Sequence, residues 1–270
     1  MADIRQLDIN STNKSLSTVD SAVASALGAI SGASVIQKFG RHDDVAAVFE
    51  PMAIQGIYRM PKASAAAALR VKLGNAADID TTGAGARKVT LQGLDETGAL
   101  VTEEISTNGA TSGVASTTTW MRLFRAYVSE AGTYGDYNVA SQTADIIIET
   151  VAGVEWARLV KFTPGFCQTE IGCYTVPLGK KVVLLSYNLT LESGKTVDIA
   201  CMKRESILDV AAPYQAFRLQ FQGVGLKDAP FNYAPPGGLV FNELTDIVFF
   251  VKSAATAVIS CDFTMLQMKA

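Results

Sequence analysis

Three runs decide the fold class: Leu69-Arg-Val-Lys-Leu73, Arg87-Lys-Val-Thr-Leu-Gln-Gly-Leu-Asp95 and Trp120-Met-Arg-Leu-Phe-Arg-Ala-Tyr-Val128. In the first two, apolar and polar side chains alternate, which is the period of a β-strand with one buried face. In the third, bulky apolar side chains occupy both alternating sets of positions, which predicts a strand covered on two sides. Arg122 and Arg125 are then expected on opposite faces. Gly98 and Asn108-Gly109 supply turn signals between runs. The stretch 69–148 therefore predicts a turn-rich β-scaffold.

The C-terminal part of the chain continues this pattern after Pro164-Gly165. Short runs rich in β-branched and apolar residues recur, separated by Gly, Ser and Pro turns, as is typical of a β-sandwich or jelly roll. The last two runs, 246–251 and 258–265, resemble an antiparallel pair around Ala254-Ala-Thr256.

The N-terminal part of the chain is different in character. Residues 1–16 are polar and predict a loose arm, whereas 18–30 predict a helix whose apolar face carries small side chains. The helix is either an ordinary short helix on its own domain or part of an arm, Ala2 to Ile30, that docks on a neighbouring subunit. A polar cluster, Arg41-His-Asp-Asp44, follows and predicts a solvated turn.

The predicted fold class is therefore mainly β, with two β-sandwich or jelly-roll-like domains preceded by an N-terminal arm and a short helix. The predicted divisions are residues 1–50 for the arm and helix and 51–163 for a β-domain that contains Gly93-Leu-Asp95. Residues 164–270 form the predicted C-terminal β-sandwich or jelly roll.

Composition and charge narrow the function classes. The 270 residues have a net charge of −3 spread along the chain, which gives no electrostatic footprint for nucleic acid. No apolar run approaches about 18 residues, so no membrane span is predicted. The first residues lack a basic start and an apolar stretch, so no secretory signal is predicted either.

Catalytic and metal-binding patterns are not found in the sequence. A Ser or Cys hydrolase needs a general base, and the single histidine, His42, lies far in sequence from the cysteines. No zincin or kinase signature occurs. The four cysteines, Cys167, Cys173, Cys201 and Cys261, are widely spaced; they predict buried thiols in a reducing compartment rather than a metal or disulfide site. We expect no catalytic residues, no metal site and no cofactor.

Two local features were tested as sites. The loop Gly83-Ala-Gly85 lacks the third glycine of a dinucleotide fingerprint and the Gly-Lys-Ser/Thr ending of a P-loop, so its glycines are interpreted as turn residues with positive φ. Glu103 and Glu104 are adjacent on a predicted strand, so their side chains point to opposite faces and do not form a catalytic pair.

A glycan-binding or glycan-cleaving β-sandwich stays open as an alternative from a different class. Glu170, Glu192 and Glu205 are the acids that could serve a glycosidase. Trp120 and Trp156 sit in apolar contexts, whereas sugar platforms use exposed aromatic rings.

The stretch 69–150 resembles a motif of virion structural proteins from tailed bacteriophages. The matching parts are a Gly-rich loop, a strand ending in Gly-Leu-Asp, an acidic strand with an Asn-Gly turn, and an aromatic strand with two arginines before a Gly loop: Asp80 to Gly85, Arg87 to Asp95, Glu103 to Gly109, Arg122 to Val128, and Ala131-Gly132. The resemblance implies a capsid decoration or cement protein of a virion.

The resulting functional prediction is a non-enzymatic virion protein made in the host cytoplasm. It is expected to stabilise contacts between capsomers, with the major capsid protein or other virion proteins as partners and with no nucleic acid or membrane partner. A homo-oligomer is expected, a trimer being one form. A head–tail, tail or fibre-base component is the alternative within the same class.

Overall fold

The computed structural model describes residues 7–9, 16–18, 21–135, 141–161, 166–192, 194–227 and 230–270. The protein is mainly β, with antiparallel sheets and one short α-helix in the described residues, which confirms the predicted fold class. The helix α1 spans Ser21–Ala26, and two 3₁₀ turns span Ile54–Gly56 and Ala63–Ala65.

The strands, in chain order, are β1 Leu7–Ile9, β2 Leu16–Thr18, β3 Ala33–Val45, β4 Glu50–Pro51, β5 Ala67–Leu73, β6 Ala86–Asp95, β7 Leu100–Ser106, β8 Thr119–Ala131, β9 Ile146–Thr150, β10 Glu155–Leu159, β11 Cys173–Thr175, β12 Lys180–Leu191, β13 Thr196–Arg204, β14 Arg218–Lys227, β15 Phe231–Tyr233, β16 Leu239–Phe241, β17 Asp246–Ser253 and β18 Ala257–Lys269.

Three sheets carry most of the structure. A six-stranded sheet has the order β10-β9-β5-β8-β6-β7. An inner sheet has the order β11-β17-β13-β14, with β4 also on β17, and an outer sheet has the order β15-β12-β18-β3, with β16 also on β12. A small separate hairpin pairs β1 with β2.

The inner and outer sheets pack face to face as a sandwich. Phe249 of the inner sheet stacks on Tyr187 of the outer sheet at 4.2 Å between ring centroids, and its ring lies 4.9 Å from that of Phe263. All three residues are fully buried in one apolar cluster. Aromatic pairs of this kind add to the burial term that stabilises the sandwich.

The opposite face of the inner sheet packs on the six-stranded sheet. Val248 and Cys173 join a second apolar cluster with Trp120, Leu91 and other buried residues of the six-stranded sheet. Because successive residues of a strand point to opposite faces, β17 serves both clusters at once. The inner sheet is therefore covered on both sides, which explains why β17 is a nearly continuous apolar run.

The N-terminal part departs from the sequence prediction. The helix ends at Ala26 rather than near residue 30, and Gly28 and Gly32 have positive φ values of 73° and 74°, which end helical geometry. Thr18, the first residue of the predicted helix, belongs to β2. Of the predicted arm, Ala2 to Ile30, residues 2–6, 10–15, 19 and 20 lie outside the described part of the chain.

The predicted arm and helix region, 1–50, also extends too far. Residues 33–45 form β3, which pairs with β18 along its length and is the edge strand of the outer sheet. The cluster 41–44 is therefore strand and not a solvated turn. Gly40 and the four charged or titratable residues at 41–44 give this segment little local strand signal, and the pairing with β18 outweighs that weak preference. The predicted boundary at 163/164 lies outside the described residues.

Two further sequence predictions are wrong: one concerns the pairing of the last two strands, and the other concerns the faces on which two arginines lie. Strands β17 and β18 do not pair with each other; the turn at 254–256 carries the chain from the inner sheet to the outer sheet. Arg122 and Arg125 pair with Leu94 and Gln92, which are two residues apart on β6, so both arginines lie on one face. Phe124 is skipped in this register and forms a β-bulge that changes the parity.

Candidate functional site

A buried ion pair joins the six-stranded sheet to the inner sheet. Arg122 of β8 donates from Nε to Asp246 Oδ1 at 2.8 Å and from Nη2 to Asp246 Oδ2 at 2.9 Å. Both side chains are buried, with 1% and 0% exposed. The β-bulge at Phe124 and the start of β17 at Asp246 bring these groups together across 124 positions of sequence. The geometry is a bidentate charge-assisted pair.

Further hydrogen bonds complete this pair. Asp246 also accepts from Thr175 Oγ1 at 2.7 Å and from Arg204 Nη2 at 2.7 Å. The remaining guanidinium nitrogen of Arg122, Nη1, donates to the carbonyls of Pro61 and Met121. Burial alone would raise the pKa of Asp246, but the charges of Arg122 and Arg204 outweigh it and hold that pKa below its usual value.

A cavity of about 180 Å³ opens beside this pair, lined by residues that include Arg122, Arg204, Glu205, Lys62 and Tyr214. Three of its charged groups have charged partners. Arg122 and Arg204 pair with Asp246, and Glu205 accepts from Lys203 Nζ at 3.0 Å and from Arg218. Lys62 Nζ donates to the neutral Tyr214 Oη at 2.6 Å. Because Arg122, Arg204 and Glu205 are paired, they suit a rigid junction between sheets better than acid–base chemistry.

His42 is placed in the interior by β3. Its ring is 1% exposed, and Nε2 lies 3.1 Å from Glu50 Oε2. Burial lowers the pKa of His42, against the opposing effect of Glu50 and of the neighbouring Asp43 and Asp44. The prediction of a solvated turn is wrong here because the strand pairing with β18 turns this side chain inward.

The cysteines agree with the predicted thiols in most respects. Cys173, Cys201 and Cys261 are buried, Cys167 is half-buried, and none of these four forms a disulfide. Burial raises the pKa of Cys173 to about 12, and it raises the pKa values of Cys201 and Cys261 as well, so these thiols stay protonated near neutral pH. Among the described residues, no group of three or more His, Cys, Asp or Glu side chains is arranged to hold a metal ion.

The three candidate glycosidase acids have separate environments. Glu192 Oε2 accepts from the backbone of Val258 at 3.0 Å, and Glu205 belongs to the junction cavity. Glu170 is half-buried beside Arg41, and its Oε2 is enclosed without a hydrogen-bond partner in the described structure. Trp120 and Trp156 are 0% and 4% exposed, so neither ring presents a sugar platform.

The glycine loop is explained by close packing rather than by positive φ. A Cβ on Gly85 would lie 2.0 Å from Asp78 Oδ1, and one on Gly83 would lie 2.4 Å from the carbonyl of Ala77. Asp78 is fully buried and accepts from Thr143 Oγ1 at 2.6 Å and from the Ala86 backbone at 2.7 Å. Asp78 was missed in the sequence because a single aspartate in a turn is usually solvated.

Glu103 and Glu104 do not meet. Glu103 accepts from the backbones of Thr117 and Thr118 at 2.7 and 2.9 Å, whereas Glu104 Oε1 lies 3.3 Å from Lys88 Nζ. The predicted separation onto opposite faces is confirmed.

Within the described part of the chain, no helix is both long and apolar enough to cross a lipid bilayer.

Glu170 gives a pH-dependent prediction. Burial raises its pKa above the unfolded value, so its ionised form disfavours folding, and stability is lost as pH rises through these pKa values. Glu170→Gln should remove that loss and stabilise the protein by about 0.5 kcal/mol at neutral pH, a small figure because partial exposure screens the charge. Urea denaturation between about pH 4 and about pH 8 measures it.

The matched control for this prediction is Glu192→Gln, which changes an exposed acid. The stability difference between Glu170→Gln and wild type should grow with pH, whereas the Glu192→Gln difference should not. Parallel stability curves for Glu170→Gln and wild type would contradict the assignment.

Comparisons with known proteins give little. No family model matches the chain, and no curated protein matches it either. Among solved structures, infectious bursal virus derived T=1 particles give a TM-score of 0.21 at 8% identity, over 88% of this chain and 74% of that one. This is a weak likeness to a virus capsid particle, and at this level it carries no information on fold or function.

Proposed function

We propose that the protein is a non-enzymatic structural component of a tailed-bacteriophage virion, and that it acts as a cement or decoration protein on the outside of the capsid. By mass action, a protein that binds the assembled shell and not its separated parts stabilises the shell. The partners are the major capsid protein or other virion proteins, together with further copies of this chain.

One observation carries this proposal: β14 is a ten-residue edge strand of the inner sheet, with no partner on its outer side in the described structure. Leu219 and Val224 on this strand are 49% and 69% exposed. An edge strand that also displays apolar side chains is suited to pairing with another chain. The resemblance of residues 69–150 to phage virion proteins supports the same class.

The disposition of charge also supports a structural role. The most buried ion pair, Arg122–Asp246, joins two sheets and binds the groups around it. Its charged groups are therefore used to hold the fold together.

We further propose that the N-terminal segment, Ala2 to Ile30, tethers the protein to a neighbour. Val23 in α1 and Leu27 just after it are 50% and 77% exposed.

Cryo-electron microscopy of the virion tests the location. Density for this protein at local symmetry axes of the shell supports the cement role. Density at the tail vertex alone would reject cement and favour the head–tail, tail or fibre-base alternative. A glycan array with a hydrolysis screen covers the remaining class, since specific micromolar binding would count against a purely structural role.

The β14 edge gives a quantitative prediction. The double change Leu219→Lys and Val224→Lys should weaken binding to purified shells by about tenfold or more, because both positions would place charge in an apolar contact. Shell binding is measured by co-sedimentation at fixed salt concentration.

The control is Val151→Lys with Val154→Lys, at the turn between β9 and β10, where both valines are exposed to a similar degree but no strand edge is offered. This pair should bind shells as wild type does. If the β14 pair binds as wild type does, or if both pairs lose binding equally, the β14 edge is not the contact.

A further inference from the structure

A second cavity, of about 210 Å³, lies between the edge strand β3 of the outer sheet and the six-stranded sheet. Its lining includes Ile36, Lys38, Leu100, Phe124, Arg125 and Tyr174. Its volume is below the roughly 300 Å³ or more of sites for drug-sized ligands, so an occupant would be small.

Lys38 is the unusual residue of this cavity. It pairs with Phe263, whose ring is fully buried, so Lys38 faces the interior although β3 is an edge strand. Its Nζ donates to the carbonyl of Phe124 at 2.6 Å. Burial lowers the pKa of Lys38 to about 8.

The ammonium of Lys38 is incompletely satisfied. An ammonium has three N–H donors, and the bond to Phe124 uses one of them. In the described part of the chain the other two have no hydrogen-bond partner, and no carboxylate pairs with Lys38. Nearby Cys173 and Cys261 add no negative charge, because burial raises the pKa of both thiols. Lys38 is half-buried, and donors of a charged group that lack partners away from water are costly.

A second cation faces the same cavity. Arg125 donates from Nη2 to the amide oxygen of Gln168 at 2.6 Å, and its positive charge disfavours that of Lys38. The lining contains no Asp or Glu. On the face of β7 that carries Leu100 and Thr102, the next acid is Glu104, which already accepts from Ser129 and pairs with Lys88. The cavity therefore carries two positive charges that the described lining does not balance.

The remaining walls are largely apolar. The rings of Phe124 and Tyr174 lie 4.6 Å apart between centroids, tilted by 33°, and Leu100 and Ile36 add further apolar surface. The Tyr174 hydroxyl donates away from Lys38, to Gln267 at 2.9 Å. A ligand with an anionic head and a compact apolar body would satisfy both parts of the cavity.

We propose that this cavity is a binding site for a small organic carboxylate, with the carboxylate oxygens accepting from Lys38 and Arg125 and the apolar body against Phe124, Tyr174 and Leu100. The site is independent of the virion role. Two charge-assisted hydrogen bonds fix the carboxylate. A small inorganic anion would contact the two cations but would leave the apolar walls unfilled.

The probe is benzoate, titrated into the full-length protein and followed by NMR, with benzamide as a neutral ligand of the same shape. Wild type should bind benzoate in the millimolar range, as expected for so small a ligand. Benzamide should bind about tenfold or more weakly, because it lacks the charge. Equal affinity for the two ligands, or no binding of benzoate, would overturn the proposal.

Two variants locate the site. Lys38→Met keeps the apolar stem and removes a half-buried charge that has no carboxylate partner, so it should fold and bind benzoate about tenfold or more weakly. Arg125→Gln should weaken benzoate binding by about threefold to tenfold, as an exposed cation contributes less. The control Lys72→Met, at an exposed lysine of β5, should bind as wild type. Unchanged binding in Lys38→Met places benzoate elsewhere and rejects the site.

Discussion

Replacement of Arg122 by alanine is expected to destabilise the protein by about 3 to 5 kcal/mol, the cost of leaving a buried carboxylate without its main partner. Asp246 is 0% exposed and would keep only Arg204 and Thr175. The carbonyls of Pro61 and Met121 would lose their donor as well. Urea denaturation followed by circular dichroism measures the loss.

The control for Arg122 is Arg125→Ala, which removes an arginine from the same face of β8 that is exposed and bound to Gln168. It should change stability by about 0.5 kcal/mol or less, as surface substitutions usually do. A loss in Arg122→Ala no larger than that of Arg125→Ala would show that the buried pair does not hold the junction.

The pH dependence of Arg122→Ala follows from the depressed pKa of Asp246. A carboxyl whose folded pKa is depressed contributes stability that is present above its unfolded pKa and lost as pH falls through the folded value. The stability gap between wild type and Arg122→Ala should therefore be widest near neutral pH and should narrow in acid, where Asp246 no longer needs a cationic partner.

Phe249→Ala is the second large prediction, with an expected loss of about 3 to 5 kcal/mol from transfer and cavity terms. Phe249 is fully buried between the inner and outer sheets and stacks on Tyr187. Its ring also lies near those of Phe263 and Phe221. Few neighbours in such a cluster can move to fill the space, because they pack on one another.

Two comparisons sharpen this prediction. Phe249→Leu retains part of the volume and should lose less than Phe249→Ala, whereas Phe49→Ala changes a phenylalanine that is 45% exposed and should lose about 1 kcal/mol or less. Equal losses for Phe249→Ala and Phe49→Ala would contradict the sandwich packing.

Tryptophan fluorescence tests whether the sheets unfold together. Trp120 of β8 and Trp156 of β10 both lie in the six-stranded sheet, whereas Phe249 lies in the sandwich. If the junction couples the two parts, fluorescence and circular dichroism should report one transition in Phe249→Ala. Separate transitions would support the sequence-based division into two β-domains, which stays a prediction.

Local structure could be predicted from the sequence where hydrophobic alternation and turn residues indicate the same element. Strands β6 and β7 with the turn at 95–98 were predicted close to their observed bounds, because alternation and a positive-φ glycine at Gly98 are local properties. The class of the fold follows from the same signals.

The sites were much less accessible. Lys38 is one polar residue in a segment with weak strand period, and only its pairing with Phe263 shows that it faces the interior. Arg122 was assigned to the face opposite Arg125, because a β-bulge at Phe124 has no distinct signature in a run rich in large apolar residues. Neither residue has a neighbour in sequence that reveals its partner.

The sequence by itself determined that this chain is built from short antiparallel strands, since alternation and turn residues act within a few positions. Only the tertiary structure decided which strands share a sheet, placing β3 beside β18 and sending β17 and β18 to different sheets. It also decided that Arg122 meets Asp246 and that Lys38 lacks a carboxylate in the described structure. The physical reason is that register, bulges and burial depend on contacts between distant segments, whose combined energy outweighs local preference.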